Sequence, residues 1–390
     1  MRPVLFLYCQ HSLGMGHLVR SIALARAMAT KFEVHVLSGG QQPEGFAAPK
    51  GVSVHHLPPL GMRDSQLVSL VPGRSVEDLK RARISAIDDV LGAHRPAVLV
   101  TELYPFGRKK FAFELDHLID AVRARGGLVI SSVRDLLVAA RHDQQRHDDR
   151  AAARLNAVFD AVIVHADPEV ARLEETFQPS IRLETPVFYS GFVVPNPPTG
   201  AKRQPERRVV VSAGGGIVGA PLFRTALLMH AQLYQQSGLP MTCVAGPFLP
   251  QSDWIDLQKQ AEGLAGLTLV RSTPDLCAMM SEATHSISQF GYNTAIDLMV
   301  AGVAAVVVPY AAGNETEQAV RAERFARAGA LVVLPERELT PESLAAALSS
   351  AHANQLGQRF DLNGAAQTTR IIERMLSATR PVGSMAEATT

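Results

Sequence analysis

The chain is poor in cysteine, with three residues, Cys9, Cys243 and Cys277, among 390. Each lies inside an apolar segment without metal-ligand spacing. That excludes a disulfide-stapled scaffold and a cysteine zinc site, and predicts buried free thiols in a reducing compartment. An excess of one charge is also lacking: 38 Lys and Arg face 37 Asp and Glu, for a formal net charge of +1. With no long basic run, electrostatics gives no case for a nucleic-acid partner. No apolar run approaches the ~18–20 residues of a membrane span. The opening apolar stretch Val4–Cys9 is too short for the core of a secretory signal. These absences predict a cytoplasmic protein, with peripheral membrane contact left open.

What is present is an ordinary α/β composition, 47% hydrophobic and 19% charged, on a chain long enough for two domains with separate cores. Short β-branched runs alternate with helical stretches throughout. Strands are predicted near 4–8, 33–37, 52–57, 97–101, 128–131 and 161–164, then near 208–212, 241–245, 267–270, 286–290, 304–308 and 331–334. Between them apolar residues recur at helical spacing, as in Leu18, Ile22, Ala25 and Met28. Such alternation predicts parallel, doubly wound sheets. The boundary falls in a Pro-rich, basic stretch containing Pro195, Pro197, Pro198, Gly200 and Pro205. The expectation is two Rossmann-like domains facing across a cleft: residues 1–194, a linker at 195–207, a second domain at 208–376, and a disordered tail at 377–390.

The most informative segment runs from Ser288 to Gln318. A predicted strand ends at Gln289-Phe290, turns at Gly291, and opens a helix at Tyr292-Asn293-Thr294 that carries Asp297. The next strand ends at Pro309, and a polar loop delivers Glu317 and Gln318. Both loops leave carboxyl ends of neighbouring strands, where open α/β sheets bind ligands. Bare N–H groups at a helix start suit a diphosphate, and the second loop adds hydroxyl-binding groups beside it. A diphosphate with polyols on either side describes a nucleotide sugar.

Two further glycine turns follow first strands. In the second domain, Gly214-Gly215-Gly216 allows close backbone approach by a phosphate. In the first, Ser12-Leu13-Gly14-Met15-Gly16-His17 opens a helix, but lacks both the third glycine of a dinucleotide fingerprint and the lysine of a P-loop. The helix dipole disfavours imidazolium at His17, leaving a neutral ring able to accept a proton, although the residue could instead merely pack the turn. Arg271 follows a strand of the second domain, as a donor-side residue or on the solvated surface. Glu102, Arg108, Asp135 and His165 end strands of the first domain; either Asp135 or Glu102 could orient His17 or act as base itself, or each could serve as a cap or ion pair.

Gln289-Phe290-Gly291-Tyr292-Asn293-Thr294 with Asp297 resembles the donor motif of nucleotide-sugar glycosyltransferases of the GT-B fold. The turn before His17 resembles the Gly-Gly-His turn of the lipid-linked N-acetylglucosaminyltransferases of peptidoglycan synthesis, and also the Gly-x-Gly-His turn of a nucleotide-sugar hydrolase of the same superfamily, in which the histidine is the proposed base. The resemblance implies that Gly291, Asn293 and Thr294 hold the diphosphate, Asp297 the ribose, and Glu317 with Gln318 the sugar. Gln289 stands where the motif has histidine, and Asp297 is one methylene shorter than the usual glutamate. The implied activity is sugar transfer from a nucleoside-diphosphate donor, a UDP-sugar foremost, with inversion and His17 as base. No Asp-x-Asp pair occurs, so chemistry without a metal site or cofactor is expected. The acceptor (small molecule, lipid-linked or polymer) is not legible. A nucleotide-sugar hydrolase, an epimerase or a non-catalytic nucleotide-sugar-binding subunit would share the same donor residues.

Overall fold

A computed structural model describes residues 2–11, 16–42, 46–63, 66–137, 142–195, 205–273, 275–311, 316–329, 331–354 and 356–379. Gly14 and residues 196–204 of the expected linker lie outside the described residues. The first half contains β1 (Val4–Cys9), β2 (Glu33–Ser38), β3 (Val52–His56), a short pair β4 (Leu60–Arg63) and β5 (Gln66–Ser69), then β6 (Val98–Glu102), β7 (Leu128–Arg134), β8 (Ala161–His165) and β9 (Val187–Tyr189). Its longer helices are α1 (Gly16–Met28), α2 (Val76–Ala93), α3 (Ala112–Arg123) and α4 (Gln144–Val158). Seven strands form a parallel sheet in the order β3-β2-β1-β6-β7-β8-β9, while β4 and β5 pair antiparallel outside it.

The second half contains β10 (Glu206–Ser212), β11 (Met241–Val244), β12 (Leu267–Val270), β13 (Ala283–Ser288), β14 (Ala304–Val307) and β15 (Val332–Val333). Around them lie α5 (Ala220–Ser237), α6 (Gln251–Ala261), α7 (Leu276–Ser281), α8 (Tyr292–Ala301), α9 (Glu317–Arg327), α10 (Pro341–Ser350), α11 (Leu356–Arg359) and α12 (Gly364–Thr379). These strands form a second parallel sheet in the order β12-β11-β10-β13-β14-β15. Every predicted strand exists. The hairpin and β9 were not anticipated, since short half-exposed segments carry little apolar signal.

Both sheets are covered on both faces, which explains why their strands read as continuous apolar runs. Leu5 and Leu7 of β1 pack with Leu24 and Met28 of α1, whereas Phe6 and Tyr8 face Leu115 and Ile119 of α3. In β10, Val209 and Val211 belong to one core and Val210 to the other. Phe192, Phe290, Phe325 and Phe360 form an aromatic cluster joining the two halves, with ring centroids 5.5 Å apart for Phe290–Phe325 and 5.9 Å for Phe325–Phe360.

Helix α12 departs from the expected partition. Its Ile372 is fully buried among Leu24, Met28 and Val34 of the first half, with Ile371, Met375 and Leu376 packed beside it. The apolar stripe of this helix covers α1, so the chain crosses back after the second sheet instead of ending on it. The helix also extends through Ser377, Ala378 and Thr379, the start of the expected tail, where the Ser377 and Thr379 hydroxyls donate to the Glu373 and Leu376 carbonyls; residues 380–390 of that tail lie outside the described residues.

In each sheet the strand order reverses beside the first strand: between β1 and β6 in one, and between β10 and β13 in the other. A crevice opens at the carboxyl ends there, because connections on either side of such a point run to opposite faces.

Candidate active site at the two crevices

The second-sheet crevice is lined mainly by backbone. Helix α8 starts after Gly291, whose extended φ of −64° and ψ of 163° bring no side-chain cap. Among the described residues, its first N–H groups thus have no side-chain cap, and the helix dipole adds partial positive charge. A Cβ on Gly291 would meet nothing within 4 Å, so this approach is open. Across the crevice, the turn after β10 holds Gly214 and Gly216 at φ of +57° and +90°. A Cβ on Gly216 would sit 2.3 Å from the Ala245 carbonyl oxygen, while one on Gly214 would be 3.7 Å from Thr294 Oγ1. The glycine turn therefore lies directly beside the α8 start, where Thr294 is buried.

Three residues expected to touch a donor are engaged in building this crevice. Gln289 is buried and donates from Nε2 to the Val218 carbonyl at 3.1 Å, pinning the glycine turn to β13. Tyr292 points toward the other domain: its hydroxyl donates to the His165 carbonyl at 2.8 Å and accepts from Val193 N–H at 3.3 Å. The guanidiniums of Arg20 and Arg321 lie 5.3 and 6.0 Å from its ring centroid. Arg271 donates to the Leu249 carbonyl at 2.6 Å and lies over Trp254, bracing the loop after β11. Strand-end position located these residues, but gave no sign that their side chains turn into the scaffold.

Gln318 has a divided role. Its Oε1 accepts from the backbone N–H of Phe290 at 2.9 Å and of Tyr310 at 3.1 Å, locking together the loops after β13 and β14. Among the described residues, its Nε2 has no acceptor. Glu317, buried at the start of α9, accepts from Arg134 of the first domain. Asp297 has no side-chain hydrogen bond among the described residues. Burial first, and the charge of Asp275 second, push its carboxyl up to about 7.

The first-sheet crevice is built from charged side chains. His17 Nδ1 lies 2.6 Å from Glu102 Oε1, at the end of β6. The same oxygen accepts from Arg20 at 2.6 Å, and Oε2 accepts from Arg108 at 3.0 Å. Glu102 and Arg20 are almost wholly buried. Arg108 reaches Glu102 from a loop in which Leu103 and Arg108 itself adopt left-handed φ of 65° and 60°. That conformation is costly for residues with a Cβ, and hydroxyls of Thr101 and Ser131 brace it by donating to the Tyr104 carbonyl.

Burial would raise the Glu102 carboxyl, but His17, Arg108 and Arg20 hold it well below the usual carboxylate range. Burial dominates at His17 and lowers its pKa to about 4, outweighing the attraction of Glu102. The carboxylate already balances two guanidiniums, so a third positive charge is disfavoured. A neutral imidazole with Nδ1–H donated to a carboxylate leaves Nε2 as the ring nitrogen able to accept a proton.

Asp135, the other carboxylate considered for that role, is committed elsewhere. Arg321 of α9 donates to both its oxygens, at 2.6 and 2.8 Å, in a fully buried pair that joins the two domains. His165 is also enclosed, between Ser132 Oγ at 2.7 Å and Ser190 Oγ at 2.9 Å. The two crevices meet where Asn293 Nδ2 donates to the Gly16 carbonyl at 3.4 Å. The other amide atom, Asn293 Oδ1, is buried without a partner among the described residues. Arg20 and Arg321 were missed in the sequence because an arginine within a helix reads as solvated.

Residues 210–375 match the glycosyltransferase family 28 C-terminal domain. The described two-sheet architecture is that of GT-B glycosyltransferases: it superposes on the calicheamicin glycosyltransferase CalG4 with a TM-score of 0.64 and 18% identity, covering 98% of this chain and 100% of that one. Acinetobacter baumannii MurG gives a TM-score of 0.58 and 17% identity, covering 96% and 100%. The chain thus has the GT-B fold, and its family match is confined to residues 210–375.

Among relatives in sequence is the UDP-N-acetylglucosamine–N-acetylmuramyl-(pentapeptide) pyrophosphoryl-undecaprenol N-acetylglucosamine transferase of Neisseria meningitidis, 27% identical over 76% of this chain and 82% of that protein. The proteins of the same name from Synechococcus elongatus and Methylibium petroleiphilum are both 28% identical, over 36% and 48% of this chain, but the match spans only 37% and 49% of their own lengths. Among the described residues, no helix is long and apolar enough to cross a membrane.

Proposed function

We propose that this protein is an inverting glycosyltransferase that moves a sugar from a nucleoside diphosphate, a UDP-sugar foremost, to a hydroxyl acceptor, with His17 as general base. The observation that carries this reading is the His17–Glu102 pair at one crevice, with Nδ1 and Oε1 2.6 Å apart, facing an uncapped helix start at the other. The donor diphosphate lies against the N–H groups of α8 and the Gly214–Gly216 turn. Asp297 reaches the ribose, while Gln318 Nε2 and Glu317 contact the sugar. His17 Nε2 takes the acceptor proton as the acceptor oxygen bonds to the anomeric carbon. The bond from that carbon to the diphosphate oxygen breaks, and the leaving group's charge spreads onto N–H donors already aimed at it. Glu102 keeps the proton-accepting tautomer and steadies the imidazolium that forms.

The relatives named for an undecaprenol acceptor make a lipid-linked diphosphate the first acceptor class to test, with small-molecule alcohols second. A lipid-linked acceptor would bring a cytoplasmic protein to a membrane surface without a spanning helix. The test incubates the full chain with a panel of UDP- and dTDP-sugars, with and without each acceptor class, and follows products by mass. Acceptor-dependent release of nucleoside diphosphate together with a glycosylated product supports transfer. Full-rate release in water alone would assign a hydrolase, and binding without turnover on any acceptor would assign a binding subunit.

A further inference from the structure

Outside both crevices, three histidines converge at the outer edge of the first sheet. We propose that His35, His55 and His94 form a binding site for a divalent transition metal of the zinc class, with Glu33 orienting His35. His35 lies on β2 and His55 on the edge strand β3, where His35 pairs with Ser53 and His55 with Leu37. That register brings the two imidazoles to the same face. His94 is the residue at the end of α2, held there by its backbone N–H to the Val90 carbonyl.

His35 Nδ1 lies 2.9 Å from His55 Nε2. One candidate ligand atom from each histidine falls within 4.8 Å of the others. Two nitrogens on one zinc ion at ~2.0–2.1 Å in tetrahedral geometry are about 3.3 Å apart. Small side-chain rotations therefore suffice, and half-exposed His55 and His94 have room to make them.

His35 is the fixed member: it is buried, with its ring 5.6 Å from that of Phe6 and 3.9 Å from that of His94. Its Nε2–H donates to Glu33 Oε1 at 3.2 Å, which leaves the Nδ1 lone pair facing His55. A carboxylate that fixes the tautomer of a histidine ligand is the usual outer support of metal-binding imidazoles. Three imidazoles with one open position suit Zn2+, Co2+ or Ni2+ over Mg2+ or Ca2+, which prefer oxygen. Among the described residues, no other group of three such side chains converges in this way. Spacings of 20 and 39 residues hide the site from any linear motif.

The test is calorimetric titration of the tag-free full chain with Zn2+ after removal of bound metal, with the visible absorption of Co2+ as a second readout of coordination. The expected result is one ion per chain and a tetrahedral Co2+ spectrum. His55→Ala and His94→Ala should each lose at least about tenfold in affinity, and Glu33→Gln about 10–100-fold. The surface pair His142→Ala/His147→Ala should bind as the unmodified chain does. Glu33 is about half exposed, so its variant keeps the test intact if a histidine variant misfolds. The proposal is overturned if the chain binds no more zinc than the His55→Ala/His94→Ala double variant, if Glu33→Gln leaves affinity unchanged, or if binding follows His142 and His147.

Discussion

The two crevices occupy equivalent points of two similar sheets, yet they are made of opposite materials. At the reversal between β10 and β13 the lining is backbone: glycines at positive φ, an uncapped helix start, and side chains such as Gln289 that turn inward to brace the loops. At the reversal between β1 and β6 it is side chain, with His17, Glu102, Arg20 and Arg108 in one hydrogen-bonded group. Fixed N–H dipoles suit a ligand whose charge is permanent. A neutral imidazole braced by a carboxylate suits a proton in transit. On the proposed reading, one fold yields an anion cradle and a proton acceptor according to whether glycines or titratable groups follow the strands.

The largest expected effect breaks the charged side. Glu102→Gln removes the anion that balances buried Arg20, and should cost about 3–5 kcal/mol in chemical denaturation, as loss of one partner of a buried pair does. Nucleoside diphosphate affinity of the fraction that remains folded should be unchanged, since the cradle lies across the cleft. Gly216→Ala attacks the other side: the added methyl meets the Ala245 carbonyl in a backbone region that L-residues avoid. About 1–3 kcal/mol of strain is expected. Diphosphate affinity should fall, whereas the His17 pKa, lowered to about 4, should stay as it is.

A smaller effect sharpens the comparison within the cradle. The Asp297 carboxyl is raised from 3.8 to about 7, so the folded chain holds this proton more tightly than the unfolded chain. Its contribution to stability is complete below the unfolded value and is lost as pH rises through about 7. Asp297→Asn should therefore have a higher Tm than the unmodified chain at pH about 8, with the difference vanishing near pH 4. The same variant should bind nucleoside diphosphate more weakly by ~1–3 kcal/mol if the carboxylate accepts from the ribose. A Tm difference independent of pH would show that the side chain is not held protonated.

The sequence was most legible where physics acts along the chain. Apolar runs such as Leu5–Cys9 and Val209–Val211 marked central strands, and glycines after strands marked both turns. Helix periodicity likewise predicted α1. Side-chain direction was not legible. Asp135 and Glu102 both end strands of the first sheet, but only Glu102 meets His17, while Asp135 meets Arg321, 186 positions away. Tyr292 sits within the donor motif, yet its hydroxyl reaches back to His165. Helix α12 was assigned to the second sheet because it follows it in sequence; its stripe instead fits α1. The histidines at 35, 55 and 94 carry no local signal, because strand register and the end of a distant helix bring them together.

The measurement closest to the central claim is turnover of His17→Ala set beside its affinity for nucleoside diphosphate, on one preparation whose fold is verified by circular dichroism. The account predicts a transfer rate lowered by ~10²–10⁴-fold, the usual contribution of a general base, with affinity nearly unchanged. Near-full turnover in the folded variant, or an equal loss of rate and affinity, would contradict it.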